Sequence, residues 1–229
     1  MSQASAEPAM GLTLIQLDAS AFAAALPELL AIYASAMGYT TGVAQARSPL
    51  WLDHSRRIGF RCVVAVDTDA LAIDSETPAL AISYDDVPES GSPGPASAIV
   101  GFSYGYRGAI GQWWFNEVAR GLGDHENPWL LDYFELTELH VRPQHQGHGT
   151  GEALLRDLVA PAPNRTILLS TPEGENRAWR LYRRLGFANV LRNFLFSGDG
   201  RPFAVLGRGL PLDGSPQEGS PHEGPPQGA

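Results

Sequence analysis

The sequence predicts an α+β domain of mixed sheet plus helices. Three observations carry that expectation. Strand-like runs rich in Val, Tyr and Phe alternate with helical stripes over residues 11–210. Hydrophobic residues make up 44% of the 229, enough to bury a sizeable core. Clusters of Pro and Gly fall within residues 68–97 and again beyond 210, where they interrupt and then end the periodic pattern.

Residues 1–10 read as a disordered, small-residue tail. Thr13–Leu17 forms a first strand, and Asp18 or Ser20 caps a helical region to about Met37. Ser48-Pro49 opens a second helix through Arg57, with Ser at the cap and Pro at the first helical position. Phe60–Asp67 is a Val-rich strand. Residues 68–97 carry Asp69, Asp74, Glu76, Asp85, Asp86 and Glu89 without a basic residue, and read as a solvated acidic loop insertion. Its stretch Leu80–Tyr84 could still pair as a short strand. Ala98–Arg107 is another strand. Within a Trp-rich insertion at 109–132, Gln112–Arg120 forms a short helix bearing Trp113, Trp114 and Phe115. Tyr133–Val141 is a strand with four ionisable groups, Gly149–Ala160 an amphipathic helix, and Thr166–Ser170 a buried strand. Asn176–Leu185 is a helix, and Val190–Phe196 with Phe203–Gly209 a closing pair. Residues 211–229 hold five Pro, four Gly and no aromatic, the composition of a disordered tail.

Composition narrows the function classes. All 16 basic residues are Arg, against 25 acidic ones, for a net charge of −9. That balance argues against general nucleic-acid binding, where phosphate neutralisation supplies most of the affinity. A single cysteine, Cys62, excludes an internal disulfide framework and a multi-cysteine zinc site. In its apolar strand it reads as a small buried hydrophobe. The apolar stretch Ala21–Gly38 is broken by Pro27-Glu28 and follows no basic segment, so neither a signal peptide nor a membrane span is expected. The expectation is a soluble cytoplasmic protein.

The segment carrying chemistry is Glu138-Leu-His-Val-Arg-Pro-Gln-His-Gln-Gly-His-Gly-Thr-Gly151. A strand ends at Val141, Pro143 turns the chain, and glycines at 147, 149 and 151 lead into a helix. Glycines let the backbone approach a ligand closely, and unsatisfied N–H groups at a helix start suit a phosphate or pyrophosphate. A P-loop is excluded because no Gly-Lys-Ser/Thr follows. A dinucleotide fold lacks its first strand and its acidic ribose partner.

Gln146-Gly-His-Gly149-Thr-Gly151 resembles the pyrophosphate loop of the GNAT N-acetyltransferase superfamily, Gln/Arg-x-x-Gly-x-Gly/Ala. About 25 residues later, Glu175-Asn176-Arg-Ala-Trp-Arg-Leu-Tyr182-Arg-Arg-Leu-Gly186-Phe187 is similar to its second signature, an Asn, a helix with Tyr, then Gly-Phe. The resemblance covers about residues 98–196. It implies the GNAT-type fold, a central mixed, mostly antiparallel twisted sheet flanked by helices, and acetyl-CoA, or another acyl-CoA, as cosubstrate without a metal. It further implies that Leu139, His140 and Val141 pair with pantetheine. Gln146, Gly147, His148, Gly149, Thr150 and Gly151 would hold the pyrophosphate, and Asn176 would contact the pantetheine arm. Tyr182 takes the general-acid position, although Ala178, Leu181, Tyr182 and Leu185 also make one core-type helical stripe.

An amine acceptor must lose a proton before or during attack, so a base is needed. Glu135 falls where some members place a glutamate base, and Glu138 is the second candidate. Strict alternation puts the two on opposite faces, but a bulge is common in this strand of the family and leaves their facing open. Both could instead solvate a sheet face. His140, His145 and His148 tempt a metal reading, but all sit in or beside the proposed loop. Trp113, Trp114 and Trp129 either line an acceptor pocket or make a local core or homodimer contact.

Charge is uneven along the chain. Residues 139–210 hold 10 Arg and 5 acidic residues, whereas residues 67–89 hold 7 acidic and no basic ones. A basic half suits an anionic cosubstrate and an acidic half a cationic amine. The resulting expectation is an acyl-CoA-dependent N-acyltransferase acting by direct attack on a primary amine of a small molecule or peptide. The alternative from another class is a non-catalytic acyl-CoA-binding sensor or scaffold.

Overall fold

A computed structural model describes residues 11–68 and 98–212. The predicted tail at 1–10, nearly all of the predicted acidic loop with the possible strand at Leu80–Tyr84, and residues 213–229 lie outside the described residues. Seven strands form one sheet in the order β1-β2-β3-β4-β5-β7-β6. These are β1 (Leu12–Leu17), β2 (Arg61–Asp67), β3 (Ile99–Arg107), β4 (Tyr133–Val141), β5 (Thr166–Pro172), β6 (Ala188–Phe194) and β7 (Phe203–Gly209). Every neighbouring pair is antiparallel except β4–β5. That parallel pair requires a crossover, and helix α5 (Thr150–Val159) supplies it.

Helix α1 (Ala19–Met37) starts at Asp18, whose carboxylate accepts the Ala21 N–H, and stops at Gly38 in the left-handed region, φ 68°. Its length and composition would suffice to cross a membrane. Here it buries Phe22, Leu26, Leu29, Leu30, Ile32 and Tyr33 against the sheet, with Phe102, Tyr104 and Trp51. A short helix, α2 (Thr41–Gln45), precedes α3 (Ser48–His54). Because α2 runs almost directly into α3, Arg47 rather than Ser48 is the cap residue, and no side chain caps that start. The helix also stops at His54, three residues short of the predicted Arg57.

On the opposite face α5 and α6 (Arg177–Arg184) pack Leu154, Leu155, Leu158, Trp179 and Leu185 against Phe134, Val141, Ile167 and Leu169. Leu210 and Leu212 join this cluster, so packing continues two residues beyond the predicted end of the domain. A third cluster sets α4 (Trp113–Leu122) against β5, β6 and β7 through Trp114, Phe115, Val118, Leu168 and Val205.

Close approach of β4, and behind it α5, explains a glycine inside β3. A Cβ at Gly101 would lie 3.0 Å from the His140 carbonyl oxygen and 3.2 Å from Leu154 Cδ1. Gly101→Ala is expected to destabilise the fold by about 1–2 kcal/mol through overpacking, measured as a shift in urea midpoint at unchanged m-value. Equal midpoints would show that helix and strand give way freely.

Candidate active site

Two departures from a regular sheet build the site. The first is the β4–β5 pairing, which ends at Glu135↔Leu168 although both strands continue. Beyond that point Leu136–Val141 and Leu169–Pro172 diverge and line the walls of one cavity of about 1100 Å³. The second is a bulge in β4. Tyr104 pairs with Glu138 and Gly105 with Leu136, so Thr137 is the extra, unpaired residue. Tyr104 and Tyr106 share a face, and their partners Glu138 and Glu135 must share it too. His140, opposite Phe102, joins them. The bulge therefore resolves what alternation left open: both glutamates face α1 and α3.

They do not have the same surroundings. Glu138 lines the cavity, and its Oε2 lies 2.6 Å from His140 Nε2. The His140 ring stacks edge-on against Tyr33 at 5.0 Å. Glu135 is not on the cavity wall. It is 4% exposed, accepts a 2.9 Å hydrogen bond from the Tyr106 hydroxyl on Oε1, and leaves Oε2 buried without a partner. Tyr106 in turn accepts from Arg57 Nη1 at 2.7 Å. Burial pushes the Glu135 carboxyl up to about 7, against the opposing pull of Tyr106 and Arg57.

Tyr182 reaches the cavity from α6, whose first turn Asn176 caps by accepting the Trp179 N–H at 3.0 Å. Burial, reinforced by the negative charge of Glu138, holds the phenol well above its ordinary value. It therefore stays protonated throughout the neutral range. Among the described residues no side-chain hydrogen bond engages its hydroxyl, and the residue borders the cavity.

Leu139, His140, Val141, Gln146, Gly147, Gly149, Gly151 and Asn176 all line the same cavity. Gly147 and Gly149 adopt φ 90° and 85°, and a Cβ at either would meet nothing within 4 Å. Glycine is needed there for the turn rather than for lack of room. Gly149 caps α5 without a side-chain hydrogen bond, so the first-turn N–H groups of that helix face outward. Gln146 braces the loop: its amide donates to the Val141 carbonyl at 2.8 Å and its oxygen accepts from Arg177 at 3.1 Å. His148 and Thr150 are the two loop residues off the wall. His148 is exposed, while Thr150 is buried and turns its hydroxyl back to the His145 carbonyl. Arg177, Arg180 and Arg184 gather on the cavity side of α6. An open, N–H-rich turn beside three guanidiniums fits a pyrophosphate, and the gap between the strands fits an extended arm.

Further wall residues come from outside the glycine-rich stretch and α6. Tyr33, Met37, Tyr39 and Arg47 come from α1 and the stretch after it, and Ser197, Asp199 and Arg201 from the β6–β7 connection. Buried Glu117 holds that connection, accepting from the Ser197 N–H at 2.8 Å and from its hydroxyl at 3.0 Å. The position of Tyr39 and Arg47 outside any helical stripe is the only signal of these residues in the sequence. Of the three tryptophans, Trp113 and Trp114 line the cavity, whereas Trp129 is packed in the core at 4% exposure. Cys62 is 2% exposed and its thiol is raised by burial, as suits a core residue. No group of three potential metal-ligating side chains occurs among the described residues.

A family model described as an acetyltransferase (GNAT) domain matches residues 107–189. The chain is 45% identical over 214 residues to the GCN5-like protein acetyltransferase Rv2170 of Mycobacterium tuberculosis, covering 89% of this chain and 100% of that one. The chain belongs to the GNAT acetyltransferase family, and so to the transferases. Solved structures share the fold at low identity. Arabidopsis thaliana NAA60 in complex with a bisubstrate analogue has TM-score 0.51 at 17% identity, covering 87% of this chain and 99% of that one. The NatC complex bound to Gag peptide and CoA has TM-score 0.50 at 18% identity, covering 88% and 100%.

Proposed function

We propose that the protein transfers acetyl from acetyl-CoA directly to a primary amine of a small molecule or peptide, without a covalent enzyme intermediate. The single observation that carries this reading is that Glu138, from the α1 side of the sheet, and Tyr182, from α6 on the other side, border the same cavity, close enough for the Glu138 charge to act on the phenol. The loop Gly147–Gly151, the α5 N–H groups and the α6 arginines would bind the pyrophosphate. The unpaired edge of β4 from Leu136 to Val141 would receive the pantetheine arm. Most of the rate then comes from bound geometry and from polarisation of the thioester carbonyl.

Glu138 is the base in this reading, because it faces the cavity and Glu135 does not. Its carboxylate takes the proton from the incoming ammonium, directly or through a water, with His140 fixing its orientation. Tyr182 donates a hydrogen bond to the sulfur as the carbon–sulfur bond breaks. With its phenol well above the ordinary value of 10 and a thiol near 8.5, full transfer of that proton runs uphill. Its contribution is stabilisation of the developing thiolate.

Thiol release from acetyl-CoA over an amine panel tests the reaction, and CoA binding without turnover on any amine would return the sensor reading. Tyr182→Phe should lower kcat about a hundredfold with acetyl-CoA affinity nearly intact, the scale of one lost transition-state donor. An unchanged kcat would remove Tyr182 from the mechanism.

A further inference from the structure

We infer that Arg47 is a specificity residue that selects acceptors carrying a carboxylate several bonds from the reacting amine. The inference rests on the transferase reading above and names the acceptor class of the same site.

Most charges around the cavity are already paired within the protein. Glu152 is paired with Arg156 at 3.0 Å and Arg184 at 2.6 Å. Asp199 is paired with Arg201 through two hydrogen bonds of 3.0 and 2.7 Å, and Arg201 also reaches the Tyr39 hydroxyl. Each set offers a ligand little net charge of its own. Arg177 and Arg180 lie on α6, beside the glycine turn. Among the described residues two further charges line the α1 side of the gap: the Glu138 carboxylate, beside His140, and the Arg47 guanidinium.

Arg47 has no carboxylate within ion-pair distance among the described residues. Asp199 feels its charge but gives both oxygens to Arg201. The Arg47 guanidinium carbon sits 5.7 Å from the centroid of the Tyr33 ring, within cation–π range. The other side of the wall is equally defined, with Tyr33 against His140 at 5.0 Å and His140 against Glu138 at 2.6 Å. Cation, phenol ring, imidazole and carboxylate thus follow one another along the cavity. The backbone holds Arg47 in place at the α2–α3 junction, where its N–H donates to Ala44 and its carbonyl accepts from Trp51.

An ammonium at Glu138 would leave Arg47 facing the remainder of the acceptor. A neutral remainder leaves that guanidinium with water alone, whereas a carboxylate gives it a charge-assisted partner of matching fork geometry. The spacing of one phenol and one imidazole ring is too wide for an α-amino group and its own carboxylate. It suits a lysine ε-amine with the α-carboxylate of the free amino acid, or with an acidic side chain beside it in a peptide. In the segment 90–138 only Glu138, of six acidic residues, reaches the cavity, so the wall is matched to a zwitterion rather than to a plain cation.

The experiment compares acetylation of two matched pairs by the full chain: free lysine against lysinamide, and a lysine peptide with an adjacent Asp against the same peptide with Asn. In the wild type the carboxylate member of at least one pair should show a kcat/KM higher by about tenfold, carried by acceptor KM, the scale of one charge-assisted contact. The pair that shows the preference identifies the source of the carboxylate. R47Q should bring that ratio to about one and R47E should invert it, with the KM for acetyl-CoA unmoved in both. Turnover of all four acceptors without preference, or a preference surviving in R47Q, overturns the assignment of Arg47 and leaves the transferase reading standing. Failure of every amine despite CoA binding overturns both.

Discussion

Glu138→Gln should reduce acetyl transfer by about 10²–10³-fold at neutral pH while acetyl-CoA still binds, because the amide keeps the shape of the side chain and loses its basicity. Glu135→Gln, removing the same charge three residues away, should leave most of the rate. The contrast follows from position. Glu138 stands on the cavity wall against His140, whereas Glu135 is sealed behind Tyr106. Raising the pH tests the role again, since an acceptor amine that arrives already deprotonated depends less on a base. The deficit of Glu138→Gln should therefore shrink as pH approaches the acceptor's own pKa. Equal losses in the two variants, by initial rates of thiol release, would show that the proton leaves by another route.

Glu135 has its large effect on stability. Its carboxyl holds its proton to about pH 7 in the folded chain, against an ordinary value of 4.5. Folding therefore takes up a proton between those limits, and stability falls as pH rises through that window before levelling above it. Each tenfold gain in proton affinity is worth about 1.4 kcal/mol, so the loss between pH 4.5 and 8 is on the order of 3 kcal/mol. Glu135→Gln imitates the protonated carboxyl, so it should remove this slope and exceed the wild type in stability at pH 8. Urea titrations of both proteins at pH 5 and pH 8 measure it. Parallel losses in the two would mean that Glu135 is ionised in the fold or relieved by water at Oε2. The group thus has a clear physical consequence without touching the acceptor.

Much of this was legible in the sequence because it is local. Asp18 and Asn176 are helix starts whose side chains accept the N–H three residues on, and both do so. The turn after Val141 needs residues at φ 90° and 85°, and glycine stands at both positions. Tyr133–Val141 and Phe203–Gly209 form strands over the predicted spans. Ends that depend on neighbours moved instead. Ser48 reads as a cap until α2 is seen running into α3, and the chain past 210 reads as tail until Leu212 is found in the core.

What the sequence by itself determined, then, is the order of the strands and of the helices other than α2, with the glycine-rich mouth of the site, since dihedral preferences and hydrogen-bond caps act over a few residues. Only the tertiary structure decided which glutamate faces the cavity. Side-chain facing follows strand register, and here the register depends on one extra residue, Thr137, opposite a partner strand some thirty positions away. Arg47 was decided in the same way. Nothing beside it in the chain separates a solvated arginine from a cation on the cavity wall; the approach of Tyr33, itself against His140, does.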